Sequence, residues 1–282
     1  MNFSLNKGSN NNDYKFNNDN KGNNRNKDNN DNNNAIKLEA KNIKKSFDKL
    51  SVIEDVSLYL KNREFISVLG LSGSGKSTIF NIISGLMIPD EGEIIIDGEN
   101  FTGKTGRVSY MYQKDLLLPW KNIIDNVALP FVIKGDGKKN SRKKVEAFFE
   151  IFGLSGFEKK YPSQLSGGMR QRAAFLRTYM FSRDIMLLDE PFGGLDAITK
   201  SKVHYWLMNV LEKLDTSVLF ITHDIEEAVF LSDRIYILSD KPARVIEELL
   251  IDLPRPRSKE ITTTARFNEI KRQILNIMDE LG

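Results

Sequence analysis

The residues best suited to chemistry form one run, Gly70-Leu71-Ser72-Gly73-Ser74-Gly75-Lys76-Ser77, which fits G-x-x-x-x-G-K-[ST]. Glycines at this spacing let backbone N–H groups turn inward around a β-phosphate, and a following helix adds the partial positive charge of its N-terminus. Lys76 would bridge the β- and γ-phosphates and Ser77 would offer a hydroxyl to Mg²⁺, with Ser72, Ser74 and Thr78 completing the phosphate set. A nucleoside triphosphate site is the expectation. Such a site needs a carboxylate for the metal at the end of a neighbouring buried strand, and Ile185-Met186-Leu187-Leu188-Asp189 supplies one. Asp189 would hold the metal through a ligand water. Glu190 would face the γ-phosphate, where it can orient and deprotonate an attacking water. Leu165-Ser166-Gly167-Gly168-Met169-Arg170-Gln171 is a second anion-binding candidate, because Ser166 is a good helix N-cap and two glycines let first-turn amides approach a phosphate. On local sequence alone, a capped helix start is the simpler account of it.

These groups need elements to hold them. Phe65-Ile66-Ser67-Val68-Leu69 is a continuous apolar run, the mark of a strand buried on both faces, and it runs into the glycine loop and a helical pattern over Lys76–Ser84. Ahead of it, Ile36–Ala40 and Val52–Leu60 alternate as half-buried strands suited to antiparallel pairing. Glu93–Gly98 reads as a hairpin strand and Val108–Tyr112 as a strand leading into Gln113. Residues from about 116 to 182 carry no clear strand, and helical stretches at Ile123–Ile133, Ser141–Phe152 and Gly168–Phe181, broken by Gly135, Gly137, Gly153 and Pro162, predict a helical insertion. Strand patterns return at Ile185–Leu188, Ser217–Ile221 and Arg234–Leu238, separated by helical patterns at Ala197–Leu214 and Asp224–Leu231. The alternation predicts an α/β fold with a mainly parallel sheet flanked by helices. A last strand near Val245–Ile251 precedes Pro254 and Pro256, and a closing amphipathic helix sets Phe267, Ile270, Ile274, Ile277 and Leu281 on one face.

Composition narrows the function classes. The 282 residues are 40% apolar and 28% charged, and 41 Lys+Arg against 38 Asp+Glu leave a net charge of only +3. A protein reading nucleic-acid phosphates over its whole surface would be more basic. With no cysteine and two histidines, a thiolate or multi-histidine metal site and a cysteine nucleophile are excluded. No apolar stretch approaches the roughly 20 residues that span a bilayer, and no apolar segment of secretory type opens the sequence. Residues 1–34 are dominated by asparagine, with Phe3, Leu5, Tyr14 and Phe16 in no periodic order. Such a segment cannot bury enough surface to offset its ordering entropy, so a disordered extension is expected.

The glycine loop, Gln113, Leu165–Arg172, Asp189-Glu190-Pro191, Gly194-Leu195-Asp196 and Thr222-His223-Asp224 stand in an order and spacing that resemble the ATP-binding subunits of ABC transporters. The resemblance covers about residues 36–253. It implies a P-loop NTPase core with an N-terminal antiparallel β subdomain and a helical insertion, with ATP and Mg²⁺ as ligands. It also implies that Ser166, Gly167 and Gly168 of one subunit close over the ATP held by the loop of a second copy, which gives that segment its reason. Gln113 resembles the residue that meets Mg²⁺ and the attacking water and hinges the insertion. His223 resembles the histidine that contacts the γ-phosphate and holds Glu190, and Asp196 the residue linking two sites across a homodimer. Phe47 sits where the family places an aromatic that stacks on adenine. Gly193-Gly194-Leu195-Asp196 departs slightly from the commoner Ser/Gly-Ala-Leu-Asp and removes no ligand.

Tyr112–Trp120, Ile225–Arg234 and Asp252–Arg257 resemble the importer branch that serves nitrate, alkanesulfonates, taurine and thiamine-pyrimidine precursors. The resemblance thus implies a peripheral ATPase at the cytoplasmic face of the membrane. It would pair with a second copy, dock on integral-membrane permease subunits, depend indirectly on an extracytoplasmic solute-binding protein, and bind no nucleic acid. An exporter cassette and a soluble ABC ATPase acting on ribosomes or DNA are the rival readings; the latter resemble tandem cassettes or carry coiled-coil insertions. The expected division is an extension over 1–34, one ATP-binding domain over 35–253, and a helical tail over 254–282.

Overall fold

In a computed structural model of the chain, residues 35–280 are described; the expectation of a disordered extension over 1–34 and the placement of Leu281 lie outside them. In chain order the elements are β1 (Ile36–Phe47), β2 (Leu50–Lys61), β3 (Phe65–Leu69), α1 (Lys76–Ile83), β4 (Glu91–Ile96), β5 (Glu99–Asn100) and β6 (Ser109–Met111). The helical stretch follows with α2 (Ile123–Val127), α3 (Leu129–Ile133), α4 (Lys138–Glu146), α5 (Phe148–Ile151) and α6 (Gly167–Phe181). The chain then returns to alternation with β7 (Ile185–Asp189), α7 (Ala197–Leu211), β8 (Ser217–Thr222), α8 (Ile225–Leu231), β9 (Arg234–Leu238), β10 (Ala243–Leu250) and α9 (Ala265–Asp279).

The strands form one sheet in the order β5-β4-β1-β2-β10-β9-β3-β8-β7-β6. From β9 to β6 every pairing is parallel. At the other end, β2, β1, β4 and β5 pair antiparallel. The late strand β10 joins the halves, antiparallel to β9 and parallel to β2. Alternation along the apolar strands explains why they read as unbroken runs: Phe65, Leu69, Met186, Leu188, Val218 and Phe220 enter one hydrophobic core, while Ile66, Val68, Ile185, Leu187, Leu219 and Ile221 enter the other. A strand with a core on each face has no polar side to show.

The first core also holds the buried faces of α6, α7 and α8, and Phe267, Ile270 and Ile274 of α9 pack into it. The helical pattern over Ile123–Ile133 is divided at Ala128, with Pro130 in the first turn of α3. Proline has no N–H to continue the ladder, so the break falls where its ring can open a new helix. Among the described residues no helix is long and apolar enough to cross a membrane.

Candidate functional site

β3 ends at Leu69 and releases the chain into the glycine loop, where Gly73 and Gly75 hold positive φ of 86° and 100°. A Cβ on Gly75 would also stand 3.2 Å from Val52 Cγ1 and 3.3 Å from the Val52 carbonyl oxygen, so both backbone angle and space call for glycine. Gly75 is the N-cap of α1 and no side chain caps that helix, which leaves its first-turn N–H groups at Ser77 and Thr78 for a ligand. Lys76, only 5% exposed, folds back across the loop and donates to the carbonyls of Gly70 (2.9 Å) and Leu71 (2.7 Å). Burial lowers its pKa, against the pull of Glu190 and Asp189. Ser74 Oγ is buried with no hydrogen-bond partner. An orphaned hydroxyl, uncapped amides and a desolvated ammonium in one loop all ask for an anion.

Asp189 ends β7 across the sheet and is buried. Burial raises its carboxyl, while hydrogen bonds from Ser77 and from the Tyr110 hydroxyl (3.0 Å) oppose the rise. Ser77 and Asp189, two of the three expected metal ligands, therefore lie close together. Among the described residues no group of three or more acidic or histidine side chains could enclose a metal. A hard cation here would draw most of its ligands from phosphate oxygens and water, the ordinary habit of Mg²⁺. The hydroxyl and carboxylate oxygens fit it.

Glu190, the next residue, has φ 42°, in the left-handed region that a non-glycine residue enters at a cost. Its N–H donates to the Ile221 carbonyl (3.0 Å) and its carbonyl accepts from Gly193 N–H (3.1 Å), which fixes the turn. The strained backbone aims the carboxylate between two partners: His223 Nδ1 lies 3.0 Å from Oε1, and Gln113 Nε2 donates to Oε2 at 3.4 Å. Three residues far apart in sequence thus meet beyond the C-terminal ends of β6, β7 and β8. A Cβ on Gly193 would sit 3.4 Å from Gln113 Nε2, an ordinary contact, and one on Gly194, which stands where the family pattern has Ala, would meet nothing within 4 Å.

The other expected site residues stand apart. Ser166 caps α6 by accepting from Met169 N–H (3.4 Å), and Asp196 caps α7 by accepting from Thr199 N–H (3.0 Å). Among the described residues no hydrogen bond or ion pair links Ser166, Gly167 or Gly168 to the glycine loop. Gly168 also has a packing reason, since a Cβ there would meet Thr199 Cγ2 at 3.1 Å and Val203 Cγ2 at 3.3 Å. Phe47 is exposed at the end of β1, in the hairpin whose Val52 abuts Gly75. Tyr110 escaped the sequence reading, although alternation in β6 placed it beside the residue before Gln113; its ring stacks on Tyr112 at 4.2 Å.

The family described as "ABC transporter" matches residues 53–193. The formylaminopyrimidine import ATP-binding protein ThiZ of Halalkalibacterium halodurans is 44% identical over 218 residues, 77% of this chain and 84% of that protein. The chain belongs to the ABC transporter family. It is one of that family's ATP-binding, ATP-hydrolysing domains. The aliphatic sulfonates import ATP-binding protein SsuB of Bacillus cereus is 40% identical over 86% of this chain and 94% of its own length. A solved dimeric ATP-binding cassette in a post-hydrolysis state, bound to ADP and Pi, superposes with a TM-score of 0.64 at 30% identity, covering 77% of this chain and all of that one.

Proposed function

We propose that this ABC transporter ATPase powers import of a small solute of the sulfonate, taurine, nitrate or pyrimidine-precursor type. It does so from the cytoplasmic face of the membrane, as a homodimer docked on permease subunits that receive the solute from an extracytoplasmic binding protein. The observation that carries the catalytic part is the convergence of Glu190, His223 and Gln113 beside the glycine loop. The naming of ThiZ and SsuB as import proteins supports the direction and solute class.

In this reading, Gly70–Thr78 cradles the phosphates of ATP, Lys76 leaves its two carbonyls to meet the β- and γ-phosphates, and Ser74 gains the partner it lacks. Ser77, Asp189 and Gln113 would hold Mg²⁺, which spreads the phosphate charge during transfer. Glu190 takes a proton from the attacking water while His223 Nδ1 keeps the carboxylate oriented. Phe47 stacks on the adenine. Ser166, Gly167 and Gly168 close over the ATP of the other copy, and Asp196 carries the contact between the two sites, because one loop and one such segment per chain complete two sites only in a pair.

Transmission to the permease follows from how residues 113–120 are tied down. Arg177 of α6 donates to the carbonyls of Leu116 and Asp115, both at 2.6 Å, and Asn126 of α2 accepts from Leu118 N–H at 2.7 Å. Trp120 beyond them is 71% exposed, a large apolar surface for a partner. A shift of α6 on closure over ATP is therefore passed to that surface. Lys76→Ala should lose detectable ATP binding while Glu190→Gln keeps it and stops turning over; ATP affinity unchanged in Lys76→Ala would refute the site.

A further inference from the structure

A buried polar network lies between the helices that follow Asp196 and His223, used by neither the phosphate loop nor the Glu190 cluster. Glu227 of α8, 5% exposed, is its centre. Its Oε2 accepts from the Thr222 hydroxyl, and its Oε1 faces His204 Nε2 at 3.0 Å and Lys200 Nζ at 2.7 Å. His204 and Lys200 belong to α7, whose N-cap is Asp196. Thr222 Oγ1 also accepts from Asp224 N–H at 3.0 Å, so one hydroxyl ties together the residues on either side of His223. Asp224 then accepts from Glu226 and Glu227 N–H, capping α8, and receives Lys200 Nζ at 2.9 Å.

A carboxylate at this depth is costly unless every lone pair is matched, and an apolar side chain would fill the space at less expense. A polar group held here, with its oxygens bonded to Thr222, His204 and Lys200, therefore does more than fill space. We propose that Glu227 is a positioning residue for ATP hydrolysis: through Thr222 it fixes the backbone that presents His223 to Glu190, and through His204 and Lys200 it fastens that backbone to the helix begun by Asp196. Displacement of the Asp196 segment when two copies close is then felt at His223. The inference rests on the reading of His223 given above.

A double-mutant cycle on ATP turnover by the full chain tests it. Glu227→Ala lowers kcat about tenfold with KM for ATP within about twofold, because the glycine loop is untouched, and Glu227→Gln, which keeps an acceptor for Thr222, recovers most of the loss. In a His223→Ala background the same substitution costs less than about twofold more, since the residue it positions is gone. An equal factor in both backgrounds, or wild-type kcat in folded Glu227→Ala protein, overturns the proposal. Wild-type turnover by His223→Ala alone would instead remove the reading of His223 and take this inference with it. Should Glu227→Ala fail to fold, Thr222→Val removes the bridging hydroxyl and enters the same cycle with the same expectation.

Discussion

Replacing Glu190 by glutamine changes one oxygen for an amide and keeps the side chain's shape. The backbone at φ 42° is held by Ile221 and Gly193, not by the side chain, so the turn should persist. What is lost is the proton acceptor. A positioned general base is worth about 10²- to 10⁴-fold, which at 1.36 kcal/mol per decade is about 2.7 to 5.4 kcal/mol of barrier. The second effect is electrostatic. Glu190 and Asp189 both raise the Lys76 pKa, so both draw on the ammonium that must meet the phosphates. Glutamine removes one of these competitors and a negative charge facing the γ-phosphate. ATP binding should be as tight as in the wild type or tighter. Single-turnover phosphate release, nucleotide binding and sedimentation of the ATP-bound protein measure the three consequences: slow hydrolysis, retained affinity and accumulated dimer. Turnover within about threefold of wild type would show that another group takes the proton and would remove Glu190 from the mechanism.

Two further outcomes concern stability. Burial would raise the Glu227 carboxyl, but hydrogen bonds from His204, Lys200 and Thr222 outweigh it and hold the pKa below its ordinary 4.5. A depressed carboxyl contributes stability that is present above 4.5 and lost as pH falls through the lower folded value, so the urea midpoint of the wild type should drop more steeply in that window than that of Glu227→Gln; parallel curves would contradict the sign. Arg257, nearly fully buried, donates from Nη1 to the carbonyls of Val229, Phe230 and Ser232 at the C-terminal end of α8, and burial pushes its pKa down to about 10. Arg257→Ala strips three carbonyls of their donor and should cost about 3 kcal/mol or more in chemical denaturation, and a loss under about 1 kcal/mol would mean that water replaces the guanidinium.

The site divides into parts that were legible in the sequence and parts that were not. The loop from Gly70 to Ser77 was legible because each requirement is local: a buried strand before it, glycines at positive φ within it, a helix after it. Asp189 was legible because an acid at the end of an apolar run has one place to go. The positive φ of Glu190 was not, since no residue type at that position announces it. Nor was Tyr110, whose hydroxyl reaches Asp189 only because β6 lies beside β7. The ties of Arg177 to the carbonyls of Leu116 and Asp115 span about sixty positions and leave no periodic trace.

Hydrophobic period, glycine placement and capping residues act over one or two turns of chain, and they marked the phosphate loop and most of the strands and helices, though not the short β5 or the breaks at Ala128 and Ala147. They also determined the set of chemical groups, since a sequence without cysteine and with two histidines has few choices. Which groups would meet was decided by the sheet order. Because β8 lies between β3 and β7, and all three run parallel to β6, the ends carrying Lys76, Gln113, Glu190 and His223 open on one edge. Only packing could decide that β10 would stitch the antiparallel half to the parallel one, or that α7 would bring His204 and Lys200 to Glu227. Those contacts join residues far apart along the chain, and the free energy that selects them comes from burying two shared cores, a property of the whole sequence and of no single stretch of it.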